Sequence, residues 1–473
     1  MKLIKSKLAN ENYVSKIINI ESFTAHPNSE VTRLKVAHVD GFNVIVSIDE
    51  QPGLFIYFPV NSQINPDILQ YLNLYECSEM NRDSTKKGLF NKKGRVKAIK
   101  LKGFNSEGFL LPFANFQDYI INTVNIELPV QKSGTEFDTV EHNGKEFWVS
   151  KKYIVVKEHG QSSKAGTVRR DRHLKRFDKL IDGQFHFHYD TLLLRKNPYV
   201  LQPDSLIQIS SKWHGTSGIS AYVKCNKKLS WKDKLAKKLG VNVVDTEYNY
   251  IYASRTVIKN RYISSGVSAG FYGCDVWAEA DKIIKPYLAK GMTIYYEIVG
   301  FLPSGRYIQK NYDYGCVPPK EDEQYTLNKH FKIYVYRVTL TNEDGVIHEY
   351  STQEVQQWCK NVGLTPVIEY YYGLAKDLYP KEKFEGDWSI WFMNKLADDE
   401  CFFMEQMSPD CVNKVPHEGI VIKKENMGSE AWKLKCFKFL NKEQKELLEA
   451  ERIILKSPTN VSLKKYQWNP EED

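Results

Sequence analysis

The sequence predicts an α+β protein: a β-rich N-terminal module of small-barrel type, then a larger α+β domain with antiparallel sheets. Three observations predict this. Residues 1 to about 157 carry many short apolar or alternating runs at close spacing, each bounded by turn signals. Residues 181 to about 440 mix strand-like runs with two helical patterns. The chain has 473 residues, 42% hydrophobic and 26% charged, which is ordinary globular composition and enough for two or three domains.

In the N-terminal module the strand candidates are Val44–Val46, Leu54–Phe58, Val96–Leu101, Phe109–Leu111 and Phe147–Val156. Asp40-Gly41, Pro52-Gly53 and Asn143-Gly144 punctuate them as turns. Nine basic residues and one acid, Asp83, fall between Arg82 and Lys102. In that stretch Arg95 to Lys102 nearly alternates. A one-residue bulge at Ala98-Ile99 would gather Arg95, Lys97, Lys100 and Lys102 on one face, where they could follow a phosphate backbone or simply meet water. Residues 158–180 are polar and predict a basic linker, with seven basic residues and two acids from Lys164 to Lys179.

The larger domain is expected at 181–440. Its strands are expected at Leu206–Ser210, Thr293–Val299, Ile333–Leu340, Gly419–Lys423 and Trp432–Phe439. Helices are expected over Asp275–Lys290 and Glu354–Val362, stopped by Gly291 and Gly363. Residues 441–473 predict a charged helical tail. No apolar run approaches the ~20 residues of a spanning helix, so no membrane is expected as a partner. The N-terminus lacks the apolar core of a secretory signal, and the eight cysteines form no CxxC pair. A cytoplasmic protein with reduced thiols, of viral or bacterial origin, is the expectation, with a monomer as the default state.

The segment Ile209-Ser210-Ser211-Lys212-Trp213-His214-Gly215-Thr216-Ser217 holds the most information. An apolar strand ends in Lys212, and Gly215 permits a sharp turn at once, so the lysine faces whatever cleft the sheet opens. Arg255 follows a second strand-like run. Glu297 lies inside the apolar strand Thr293–Gly300, where a carboxylate is costly unless paired, ligated or hydrogen-bonded. Tyr334 and Tyr336 lie in an aromatic strand, and Glu418 opens a strand that runs to Lys423. Lys433 and Lys435, two apart on a strand, share one face and repel unless an anion lies between them. A triphosphate is the natural candidate. His186 and His188 are two apart with no further ligands nearby, so core packing is expected of them rather than metal binding.

In this order and spacing the pieces resemble the covalent nucleotidyltransferases: DNA ligases, RNA ligases and mRNA capping enzymes. Lys212 with Gly215 looks like motif I, Arg255 like Ia, Glu297 like III and Tyr336 like IIIa. Glu418 with Lys423 looks like motif IV, and Lys433 with Lys435 like motif V. His214, where DNA ligases and capping enzymes usually carry Asp, resembles the KxHG branch of RNA ligases. Those relatives that carry an OB barrel after motif V need more than the 34 residues that follow Phe439 here. The β-rich module at 1–157 instead resembles the N-terminal OB-like module of some RNA ligases, on the stretch Gly94 to Pro112.

The resemblance implies an adenylyltransferase domain and an ATP-dependent RNA ligase that uses Mg²⁺ or Mn²⁺ and joins 3′-OH to 5′-phosphate RNA ends in repair. It implies that Lys212 takes AMP from ATP, passes it to the RNA 5′-phosphate, and that the 3′-OH then displaces it. At pH 7 only about one lysine in a few thousand is neutral, so neighbouring cations or burial must activate Lys212. Lys433, Lys435 and the metal are expected to help. Glu297 would hold the ribose and Tyr336 would stack on adenine, with Tyr334 taking that place if the register slips. Glu418 would engage the metal, and Lys423, Lys433 and Lys435 would hold phosphates, although Lys423 also fits an exposed strand end. Arg255 would contact the RNA 5′-phosphate or the AMP phosphate. His214 would orient pyrophosphate, act in later steps, or only shape the turn. The competing functions are a GTP-dependent capping guanylyltransferase, a DNA ligase, and a non-catalytic RNA-binding protein.

Overall fold

The computed structural model describes residues 1–129, 131–154, 179–259, 272–398, 407–425 and 429–445. The architecture is α+β, and its larger sheets are antiparallel. A four-stranded sheet is central to residues 1–154, in the order Phe109–Pro112, Gly53–Phe58, Ser15–Ile20, Glu136–Phe137. The middle strand reads as continuously apolar because both of its faces are covered. Ile56 and Phe58 pack with Phe116 and Ile120 of helix Phe113–Val124. Phe55 and Tyr57 pack on the other side with Val39, Phe42 and Val44 of a three-stranded sheet.

Two expectations for this region are corrected. The described strands form open sheets of two to four strands, and no closed barrel is present among the described residues. Closure is replaced by layering, with a helix on one face of the central sheet and a second sheet on the other. The expected bulge is also absent. Ala98–Leu101 pairs in regular register with Phe104–Glu107 through a turn at Lys102-Gly103, both at positive φ. Arg95 leaves the basic face altogether. It is buried, it donates twice to Asn61 Oδ1 at 3.2 and 2.7 Å, and it covers the ring of Tyr153. Lys100 and Lys102 stay in water. The strand expected over 147–156 is broken into Lys145–Trp148 and Ser150–Lys152.

Residues 192–435 hold two five-stranded sheets. The first runs Leu192–Leu193, Ser429–Lys435, Gly419–Glu425, Leu206–Ser211, Glu369–Leu374, with only its edge pair parallel. The second runs Thr246–Ser254, Thr216–Asn226, Met292–Gly300, Phe331–Thr341, Ile347–Glu349, antiparallel throughout. The chain passes from the first sheet to the second through Lys212-Trp213-His214-Gly215, between strands Leu206–Ser211 and Thr216–Asn226. Helix Thr352–Val362 begins two residues before the expected Glu354, because Ser351 and Glu354 form a capping box there, and Gly363 ends it as expected, at φ 73°.

Two element boundaries differ from expectation. Helix Val276–Ile284 stops short of Lys290 because Pro286 cannot donate to the helical ladder. The strand expected through Phe439 ends at Lys435, and 437–445 is helical. Cys436, with its Sγ on the carbonyl of His417, is the last inward residue of the alternation, which Phe437, also buried, breaks. Of the expected linker at 158–180 only 179–180 are described, and of the expected tail at 441–473 only 441–445.

The segment just before the first sheet ties the two regions together. Lys196 donates to Glu136 at 2.7 Å and to the carbonyl of Glu11 at 2.6 Å. Arg195 and Gly41 exchange hydrogen bonds of 3.0 and 2.7 Å. No described helix is long and apolar enough to cross a membrane.

Candidate active site

The tetrapeptide between the sheets has no strand partner for most of its backbone, so side chains supply the hydrogen bonds that a buried turn requires. Lys212 N donates to Gly419 O at 3.0 Å, one step past the end of the strand. Trp213 leaves the cleft and stacks on Tyr334 with centroids 3.6 Å apart. The Tyr314 hydroxyl clamps His214, accepting from its N–H at 3.1 Å and donating to its carbonyl at 3.0 Å. Gly215 N donates to Glu297 Oε1 at 3.1 Å, and Gln309 donates to Gly215 O at 2.6 Å. Held this way, Lys212 can only face the space between the sheets.

What it meets there is Glu418. Lys212 Nζ lies 2.7 Å from Glu418 Oε1, and His214 Nδ1 lies 3.3 Å from Oε2. Lys435 Nζ approaches the same carboxylate at 3.9 Å and is also held by Glu443 at 3.3 Å. Glu418 is buried, which alone would push its pKa up. Lys212, His214 and Lys435 reverse that and hold it well below the usual carboxylate range. Burial also favours the neutral form of Lys435, but Glu443 and Glu418 keep its pKa above the ordinary value. Lys433 has no such carboxylate to itself. Burial, with Lys212, Lys435 and Arg255 nearby, pushes its pKa down to about 7. Glu297 moves the other way. Burial pushes it up to about 8, partly offset by Lys212.

The remaining expected residues fall in three places. Tyr336 enters the cleft with its hydroxyl 2.9 Å from Ser217 Oγ, whereas Tyr334 is core. A register shift separates them: Tyr295 pairs with Arg337 and Tyr296 with Val335, so the ladder skips Tyr336. Arg255 is exposed and ion-paired with Asp190. Lys423 is ion-paired: its ammonium lies 3.0 Å from Glu349, which Arg337 also binds at 2.9 Å. His186 bonds Gly183 O, and His188 packs against Tyr295 and Tyr336, so neither gathers a ligand set.

Sequence reasoning did not find Ser217, Gln309, Tyr314, Glu349 or Glu443. Ser217, Gln309 and Tyr314 act on residues 119, 94 and 100 positions away. Glu349 reaches Lys423, and Glu443 reaches back to Lys435 only because the strand gives way to a helix. Nothing in the local pattern distinguishes them from ordinary surface or core positions. Among the described residues no three His, Cys, Asp or Glu side chains gather as a metal cage. Glu418 fits an ion of the magnesium type, which keeps its waters and takes one or two carboxylates along with substrate phosphates.

The cleft thus gathers Lys212, Lys433, Lys435 and Arg255 around Glu418. Of these Lys433, with its pKa near 7, has no carboxylate within ion-pair distance among the described residues. An anion such as a polyphosphate would find several cations there. No family model and no curated protein matches the chain. Its fold is similar to solved structures of Naegleria gruberi RNA ligase. A variant of that ligase with ATP and Mn superposes with a TM-score of 0.51 at 13% identity, covering 92% of this chain and 99% of that one. The same ligase with PPi gives 0.50 at 13%, covering 92% and 100%. A further variant with AMP and Mn gives 0.50 at 12%, covering 91% and 98%. At such identity the similarity is one of fold, and the chain shares the α+β fold of that RNA ligase.

Proposed function

We propose that the protein is an ATP-dependent RNA ligase of the KxHG type, joining 3′-OH and 5′-phosphate RNA ends through lysyl-AMP and adenylated RNA, in RNA repair. One observation carries this reading. Lys212 Nζ, 2.7 Å from Glu418, stands at the crossing between two antiparallel sheets, with Lys433 and Lys435 on a strand of the same cleft. The fold shared with a ligase solved with ATP, AMP and PPi supports it.

Lys212 Nζ, once deprotonated, attacks the α-phosphorus of ATP. An N–P bond forms, and the bond to pyrophosphate breaks. Lys433 and Lys435 lie where they can balance the charge of the departing phosphates. A phosphate oxygen at the RNA 5′ end then attacks the same phosphorus and frees Lys212. The RNA 3′-OH finally attacks the RNA phosphorus, and AMP leaves. Glu297 holds the ribose, and its raised pKa lets it donate a hydrogen bond at neutral pH. Tyr336 stacks on the adenine. Arg255 exchanges Asp190 for a phosphate in the later steps, and His214 steadies both Glu418 and the departing pyrophosphate. Glu418 holds the divalent ion, Mg²⁺ or Mn²⁺, which would neutralise phosphate charge when bound. Residues 1–157 act as a β-rich module that binds nucleic acid, 158–180 as a basic linker, 181–440 as the adenylyltransferase domain, and 441–473 as a tail.

The test is transfer of label from α-labelled ATP or GTP to the protein on a denaturing gel, followed by joining of 5′-phosphate RNA ends. Label from ATP followed by joining supports the reading. Label from GTP alone overturns it in favour of capping chemistry. A protein unlabelled by either nucleotide, and of unmodified mass, overturns it in favour of a binding module.

Two subsidiary results are expected. ATP binding raises the pKa of Lys433 by placing an anion beside it, so binding takes up a proton. Affinity is therefore full below pH 7 and weakens as pH rises beyond it, by at most about tenfold per unit. Calorimetry in buffers of different ionisation enthalpy measures that uptake, and buffer-independent heats at pH 7–8 would exclude it. The two tyrosines should also separate. Tyr334→Ala removes the ring stacked on Trp213 and costs about 3–5 kcal/mol of stability. Tyr336→Ala costs less stability, because its ring is only partly buried, and it weakens ATP binding roughly tenfold or more, as loss of base stacking does. Equal effects of both on the melting temperature would refute this assignment.

A further inference from the structure

Helix Trp231–Lys238 caps the far end of the hairpin formed by strands Thr216–Asn226 and Thr246–Ser254. None of its residues is buried. Helices this short are marginal in water unless packing or capping holds them. Here capping alone does so: Ser230 and Asp233 form a complete capping box. Along the helix and its end, Trp231, Leu235 and Leu239 recur every fourth residue, and they are 71, 50 and 73% exposed. Val241 and Val244 follow at 56 and 73%. Six lysines surround them between Lys227 and Asp245, against two aspartates. Asp233 is spent on the cap, and Asp245 pairs with Lys237 at 2.7 Å.

An apolar stripe with a lysine rim, held in helical form yet at least half exposed along its length, has the signature of an element that lies in a membrane interface. We propose that helix Trp231–Lys238 and the loop after it dock on an anionic phospholipid surface. Trp231, Leu235 and Leu239 enter the acyl boundary, and the lysines meet the headgroups. RNA would satisfy the lysines but leave five large apolar side chains in water. A second copy of this chain would bring one lysine rim against another. The placement also keeps the cleft open. Ten residue steps of about 3.3 Å put Asn226 roughly 33 Å from Thr216, which adjoins Lys212. A spanning helix is absent among the described residues, and surface docking is a different mode, so the proposal revises the expectation of no membrane partner. It does not depend on the ligase reading.

The test is co-sedimentation of the full chain with vesicles of phosphatidylcholine alone and of phosphatidylcholine with phosphatidylserine. The expected result is binding to the anionic vesicles only, reduced at high salt. The double variant Trp231→Ala, Leu235→Ala should lower the partition by about tenfold or more with little change in the melting temperature, since both side chains are at least half exposed. Absence of binding to anionic vesicles, or binding that the double variant does not weaken, overturns the proposal. So does a variant that loses affinity for an RNA duplex while neither protein binds vesicles, which would assign the helix to RNA. Loss in the variant of a dimer seen in the wild type, again without vesicle binding, would assign it to a second copy.

Discussion

Lys212→Ala takes no label from α-labelled ATP, a loss on the order of 10⁴-fold or more, as expected when the nucleophile of a covalent mechanism is removed. Lys212→Arg fails equally, because a guanidinium cannot shed its proton at usable pH. No neighbour can substitute. Lys433 is the cation most easily made neutral, with its pKa near 7, but it belongs to a different strand from the crossing tetrapeptide. Lys435 is held in its charged form by Glu443 and Glu418. The last step does not use the Lys212–AMP bond. On the proposed mechanism the alanine variant therefore still seals RNA that arrives already adenylated. Label on the alanine variant, read with intact mass, would place the nucleophile elsewhere and remove the basis of the mechanism.

Gly215→Ala inactivates by a different route. A Cβ at this position would lie 2.3 Å from the carbonyl oxygen of Ile298 and 2.9 Å from Cγ of Glu297. The oxygen belongs to a strand paired on both sides, so it cannot yield as a flexible side chain would. The crossing must shift instead. The shift breaks the 3.1 Å bond from Gly215 N to Glu297 and moves Lys212, three residues back. Overpacking of this kind costs about 1–3 kcal/mol. Displacement of a reacting group by about 1 Å costs roughly 10²-fold in rate. The variant should therefore melt several degrees lower and label at least about a hundredfold more slowly. A variant that labels at the wild-type rate would show that the close approach has no bearing on chemistry.

Much of this was legible in the sequence because it depends on near neighbours. Ser351, Glu354 and Gly363 frame a helix by capping chemistry that acts within four residues, and the structure agrees. The apolar strand that ends at Lys212 before a glycine turn is local in the same sense. Charge could be read too, since Lys433 and Lys435 share a strand face by the period of two alone. Helix Trp231–Lys238 was not among the expected helices: its capping box is local, but its stripe looks like any amphipathic surface until its exposure in the fold is seen.

The rest needed the folded chain. Tyr334 and Tyr336 are equivalent in the sequence, and one skipped residue in the ladder to Met292–Gly300 sends one ring into the core and the other to the cleft. Arg95 looked like part of a basic face, but Asn61 and Tyr153 take it inward. Lys423 is ion-paired with Glu349, a partner far away in the chain that no local pattern gives. By itself the sequence determined the α+β class, the strand that delivers Lys212, the helix that ends at Gly363, and the placing of Lys433 and Lys435 on one strand face, because propensity, capping and alternation act between residues a few positions apart. Only the tertiary structure decided which carboxylate meets Lys212, which tyrosine faces the cleft and which lysines are left to hold an anion. Those outcomes depend on strand register and on burial by residues a hundred or more positions away, and no local pattern encodes either.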